Sequence, residues 1–113
     1  MHELSITQRI LSIALERASQ AEASYVSRIN LVIGDLTGIV EEFVRFYFDF
    51  ASKDTIAAEA SLSFYHPPTQ LRCRKCETVF SPENSEWACP SCREQSVEIV
   101  SGRECYVESI EVE

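Results

Sequence analysis

Cys73, Cys76, Cys89 and Cys92 form two C-x-x-C pairs separated by twelve residues. Each pair turns two sulfurs toward one point, and the intervening stretch lets the two turns face each other, which is the spacing of a zinc ribbon. Zn(II) takes four thiolates at roughly 2.3 Å in a tetrahedron, and a shell filled by protein leaves no position for substrate or water. Such a site is structural. A redox dithiol pair and a one-iron tetrathiolate centre draw on the same residue types and stay as rival readings. Arg72, Arg74, Lys75 and Arg93 sit beside the cysteines, where positive charge lowers thiol pKa values and offsets a doubly negative tetrathiolate. Four thiolates and one Zn(II) bring the formal charge of the chain from -8 to -10.

A second candidate lies at the other end, in Met1-His2-Glu3. Histidine in second place puts its imidazole, the α-amine and the intervening backbone amide where fused chelate rings can close on one metal ion. Nitrogen-rich, square-planar surroundings suit Ni(II) or Cu(II). Amines and imidazoles of this kind lose their protons at little cost near neutral pH, so both can ligate there and affinity falls as pH drops. Three further positions have plainer readings. Cys105 stands in a strand-like run and is expected to be a buried apolar thiol. His66 precedes Pro67 at a strand end and reads as a surface or hinge residue. Glu41 and Glu42 fall in the first turn of a helix, where carboxylates favour the positive end of the dipole.

The elements that position these groups follow from periodicity. Residues 4 to 22 place Ile6, Ile10, Leu11, Ile13, Ala14, Leu15 and Ala18 on one broad side and Ser5, Arg9, Ser12 and Glu16 on the other, which predicts a helix. Residues 26 to 34 alternate through Ile29, Leu31 and Ile33, which predicts a strand. A turn through Gly34, Asp35, Thr37 and Gly38 leads to a second helix over 40 to 53, rich in aromatics. Residues 60 to 66 read as a strand that Pro67 and Pro68 terminate. From Leu71 to about Gln95 apolar residues are too sparse to fold by burial alone, so a metal must hold that stretch. Residues 97 to 100 and 105 to 113 return to strand-like sequence and are expected to rejoin the main sheet. The predicted architecture is α/β (α+β): a small three-stranded sheet carrying two helices, formed by residues 1–70 with 96–113, and an inserted zinc-ribbon domain at 71–95.

The whole-chain properties limit the function. One small core and a satellite lobe exhaust 113 residues. Ten Lys and Arg against eighteen Asp and Glu give the wrong sign for gripping nucleic acid. No apolar run of about 18 residues spans a bilayer and no signal core opens the chain, so a cytoplasmic protein is expected, and in that reducing compartment paired cysteines point to metal before disulfides. A Ser/His/Asp set, a phosphate-cradling glycine loop and an open metal position are all missing, which argues against an enzyme. The acidic tail, with six Glu and one Arg from residue 94 on, reads as a solvated strand face.

MHELSI at the start, the INLVIGDLTGI strand and turn, the two C-x-x-C pairs and the closing SGRECYVESIEVE together resemble the HypA/HybF family of nickel metallochaperones of [NiFe]-hydrogenase maturation, over essentially the whole chain. The resemblance implies nickel ligation by the Met1 amine, the backbone and imidazole of His2 and the Glu3 backbone amide, with the Glu3 side chain tuning the site. It implies structural zinc on Cys73, Cys76, Cys89 and Cys92. It also implies a two-domain α/β plus zinc-ribbon fold, the nickel-binding GTPase HypB as partner and the hydrogenase large-subunit precursor as destination. Cys105 departs from the aliphatic residue expected in the closing strand. A monomer and a homodimer are both compatible with the sequence. The rival function is a zinc-ribbon interaction adaptor that carries no nickel, its acidic surface docking a basic partner.

Overall fold

A computed structural model describes residues 2–82 and 86–113. Met1, and with it the proposed amine ligand, lies outside the described residues. The elements in order are α1 (Glu3–Gln20), β1 (Val26–Ile33), a 3-10 turn (Asp35–Thr37), α2 (Glu41–Ala51), β2 (Ser61–Tyr65), β3 (Gln70–Cys73), β4 (Val79–Phe80), β5 (Val97–Ser101) and β6 (Cys105–Val112).

The first sheet has the order β2-β1-β6. Strand β1 is parallel to β2, with α2 as the crossover, and antiparallel to β6. Both helices cover one face. Ile10, Leu11, Ala14 and Ala18 of α1 meet Ile29, Leu31 and Ile33 of β1, Val44 and Phe48 of α2, Leu62 and Val107 in one core. Fully burying each large aliphatic or aromatic side chain contributes about 1.5–3 kcal/mol, so this unit holds itself together by apolar burial. The opposite face is polar. Asn30 there donates from Nδ2 to Ser109 Oγ at 3.0 Å, and Val32 is sealed between Tyr65 and Tyr106 across the ladder.

Helix α1 stops at Gln20, two residues short of the expected end. The Glu22 amide donates to the Ser19 carbonyl and the Ala23 amide to the Ala18 carbonyl, and Glu22 takes φ 55°. This is a Schellman closure, with glutamate where glycine is the easier residue.

The second sheet, order β4-β3-β5, is antiparallel. It corrects one expectation: residues 97–101 form a strand but do not rejoin the main sheet. They pair with β3, placing Ile99 on one side of Leu71 and Phe80 on the other. Leu71 is fully buried and needs that cover. Only β6 returns to β1.

The chain crosses between the sheets twice, at 66–69 and at 102–104. Gly34, just past β1, donates to the Glu104 carbonyl at 2.7 Å, Leu36 to the Gly102 carbonyl at 2.7 Å and Asp35 to the Pro67 carbonyl at 3.3 Å. Ser101 Oγ donates to the Pro68 carbonyl at 2.7 Å. At Gly34 the backbones touch: a Cβ there would stand 2.2 Å from the Gly102 carbonyl group. The molecule measures 55 × 25 × 17 Å with a radius of gyration of 17.8 Å, against about 13–14 Å for one compact domain of this length. Two bodies sit end to end.

Candidate metal centre

The four cysteines converge. Their sulfurs all lie within 4.8 Å of one another, with Cys73 and Cys92 3.5 Å apart and Cys76 and Cys89 3.6 Å apart. A tetrahedron of 2.3 Å metal–sulfur bonds has edges of about 3.8 Å, so the donor set fits Zn(II). The two halves are built alike. In the first, the Cys73 amide donates to the Thr78 carbonyl, the Glu77 amide to the Cys73 carbonyl, and Glu77 has φ 65°. In the second, the Cys89 amide donates to the Glu94 carbonyl, the Arg93 amide to the Cys89 carbonyl, and Arg93 has φ 62°. A left-handed residue after the second cysteine closes each turn and aims both sulfurs inward. Cys73 and Cys89 are buried, while Cys76 and Cys92, the second cysteine of each turn, lie on the exposed side of the cluster.

Hydrogen bonds tune the thiols. The Thr78 hydroxyl lies 3.1 Å from Cys76 Sγ and, with the Thr78 backbone, lowers the Cys76 pKa to about 6. The Cys76 and Lys75 amides donate to Cys73 Sγ and lower that thiol too. Cys92, although the Glu94 amide pulls it down, is pushed up to about 12 by desolvation and by the three sulfurs around it. Four crowded sulfurs cannot all carry charge unaided, which is what a doubly positive ion relieves. Two of the four basic neighbours are engaged elsewhere: Arg72 pairs with Glu98 at 3.2 Å and Arg74 donates to the Val97 carbonyl at 3.3 Å. Thr78 was not legible as a partner, since its only signal is a hydroxyl two residues after a cysteine.

At the N-terminus His2 is exposed and caps α1, its carbonyl accepting from Ile6 at 3.0 Å. Its own amide therefore lies ahead of the first turn, where helix formation does not require it. Glu3 is buried, 6% exposed, and its Oε2 accepts from the Val40 amide at 3.0 Å. That bond is the largest cause of its lowered carboxyl pKa. The Glu3 carboxylate thus ties α1 to the start of α2, whose N-cap residue offers no side-chain cap. One step on, Glu41 Oε1 meets His66 Nε2 at 2.9 Å, and His66 Nδ1 donates to the Ile33 carbonyl at 2.8 Å. With both ring nitrogens facing acceptors the imidazolium is favoured: the Glu41 and Ile33 bonds raise the His66 pKa, and the His66 bond lowers that of Glu41. His66 is thus a joint residue at the end of β2.

Cys105 is exposed, not buried as expected, because it opens β6 at the sheet edge. Its thiol still faces a hollow of about 200 Å³ lined by Ile6, Arg9, Ile10 and Ile13, and desolvation there raises its pKa while Arg9 opposes the rise. Among the described residues no helix is long and apolar enough to cross a membrane.

Fold and cysteine cluster define a zinc-ribbon protein of mixed α/β architecture. A family model described as hydrogenase/urease nickel incorporation, metallochaperone, hypA, matches residues 1–112. Hydrogenase maturation factor HypA of Dehalococcoides mccartyi strain 195 is 43% identical over 113 residues, spanning 100% of this chain and 95% of its own length. The HypA of Caldanaerobacter subterraneus subsp. tengcongensis is 43% identical over 114 residues, spanning 100% of both. The chain belongs to the HypA family, nickel metallochaperones of hydrogenase maturation. Its fold is shared with the solution structure of the Ni metallochaperone HypA from Helicobacter pylori, at TM-score 0.70 and 24% identity over 99% of this chain and 97% of that one. A second solution structure, of HypA protein, matches at TM-score 0.77 with 24% identity over 99% and 96%.

Proposed function

We propose that this chain carries Ni(II) at its N-terminus and passes it to a hydrogenase large-subunit precursor, with the GTPase HypB as co-worker. The ligands are the Met1 amine, the His2 amide and imidazole, and the Glu3 amide; the four cysteines hold a structural Zn(II). Family membership supports the reading, and so does the exposed position of His2 ahead of α1. Because the Glu3 side chain is engaged with Val40, it acts on the nickel site by fixing the first turn. Four equatorial nitrogens leave axial faces open to an incoming ligand, which gives release a route by exchange. Nickel is cargo here, and zinc would supply only the shape of the ribbon.

Calorimetric titration of nickel into untagged protein and into His2→Ala tests this. Tight binding should vanish in the variant and in protein with a tag left before Met1. Equal binding by all three would sink the carrier reading and leave the interaction adaptor standing.

A further inference from the structure

Helix α2 is apolar on two sides. Val44 and Phe48 face the core, yet Phe43, Phe46 and Phe50 on another side are 54%, 67% and 73% exposed, with Tyr47 half-buried between. An ordinary surface helix keeps one apolar stripe, toward the core, and this one carries a second beside its polar side of Glu41, Glu42, Arg45 and Asp49. A shallow groove continues the stripe toward α1, where Leu4, Leu11 and Leu15 line it with Tyr47 and Phe50.

We propose that this face docks a partner protein through an amphipathic helix with basic flanks. The first argument is area. At roughly 200 Å² per aromatic ring, the three exposed fractions amount to roughly 390 Å², within the range of patches that mark binding sites on monomers. It is about half of the ~800 Å² that each side of a standard interface buries, and far below an obligate dimer. It suits one helix laid in a groove. The second argument is charge. Glu42 and Asp49 border the stripe on α2 and Glu16 stands on α1, all exposed, against Lys53 over the Phe50 ring at 5.4 Å. With -8 on each chain, a second copy is repelled while a basic helix is attracted.

The stripe also begins at Val40, 37% exposed, whose amide is held by Glu3. An occupant that reaches Leu4 at the end of the groove therefore lies on the first turn of α1, two residues from His2. Whether it exchanges metal there rests on the nickel reading; docking does not.

The probe is a labelled 18-residue amidated helix with a leucine face and lysine flanks, titrated with untagged protein by fluorescence anisotropy near physiological salt. Binding should weaken at least tenfold in Phe46→Ser/Phe50→Ser, whose exposed positions leave the core intact, as circular dichroism should confirm. A helix with the same leucine face and glutamate flanks should bind at least tenfold more weakly. His2→Ala should bind the lysine helix like the parent, which keeps a failure of the nickel reading apart from a failure of docking. Equal affinity of parent and double-serine variant overturns the proposal, and so does equal affinity for the two helices. A concentration-dependent dimer in sedimentation that the serines abolish assigns the face to a second copy instead. Serine-sensitive flotation with phosphatidylcholine vesicles, unmatched by helix binding, assigns it to lipid.

Discussion

The two ends of this molecule are stabilised by different means. The α/β unit closes thirteen buried apolar residues in one cluster, whereas the buried hydrophobic residues of the ribbon are Leu71, Cys73 and Cys89 among those described. One unit is a packed core with a sheet as its wall; the other is a pair of sulfur turns with three short strands attached. The family joins them in one chain, and the difference teaches that metal can replace burial where a lobe is too small to own a core.

The largest expected effect breaks that contrast directly. Chelation, or Cys73→Ser, should unfold the ribbon and spare the α/β unit, because structural zinc is worth about 10–16 kcal/mol in small zinc-dependent peptides. Hydrogen exchange should show protection lost in 70–80 and 97–101 but kept in 26–33; joint loss would mean that the units fold as one. Phe48→Ala is the mirror experiment. It should cost the α/β unit about 3–5 kcal/mol in denaturant titration, with zinc stoichiometry unchanged.

Gly34→Ala acts on the joint between the two. Its Cβ would meet the Gly102 backbone at 2.2 Å, and backbone cannot swing aside, so a loss of about 1–3 kcal/mol is expected. Solution scattering should report a changed radius of gyration; an unchanged melting temperature would show that the crossing is slack.

The smallest effect is a pH dependence. His66, raised above its ordinary 6.5, contributes stability fully below that value and loses it as pH rises through the raised folded value. Glu41, lowered from 4.5, contributes above that value and loses it as pH falls through the lowered one. The pair is therefore strongest between 4.5 and 6.5. Both side chains are about a third exposed, so screening limits the effect to about 1 kcal/mol or less. Denaturant curves of the parent and His66→Asn should converge as pH rises through the raised His66 value; a constant gap would mean that the ring acts by packing alone.

Local signals were legible and distant partnerships were not. The helical spacing of Ile6, Ile10, Leu11 and Ala14 and the alternation of Ile29, Leu31 and Ile33 mark α1 and β1 because each pattern reports its own face. Residues 97–100 read as a strand for the same reason, but nothing in V-E-I-V says which edge it joins. That is decided by Leu71, which needs Ile99 as cover. Strand β4 has two residues, too few for any period to show. The cysteine cluster was readable because C-x-x-C spacing fixes geometry locally. The Glu3 bond to Val40 spans 37 residues and could come only from the fold, as could the exposure of Cys105 at the end of an edge strand.

The paired crossings at 66–69 and 102–104 have a mechanical consequence. Two stretches of chain run side by side there, tied by the Ser101 hydroxyl on the Pro68 carbonyl. Both are also bonded to the residues that follow β1, Gly34 to Glu104, Asp35 to Pro67 and Leu36 to Gly102. A partner that touches both bodies therefore reads the two through a joint made almost wholly of backbone hydrogen bonds, where side-chain substitution has few handles.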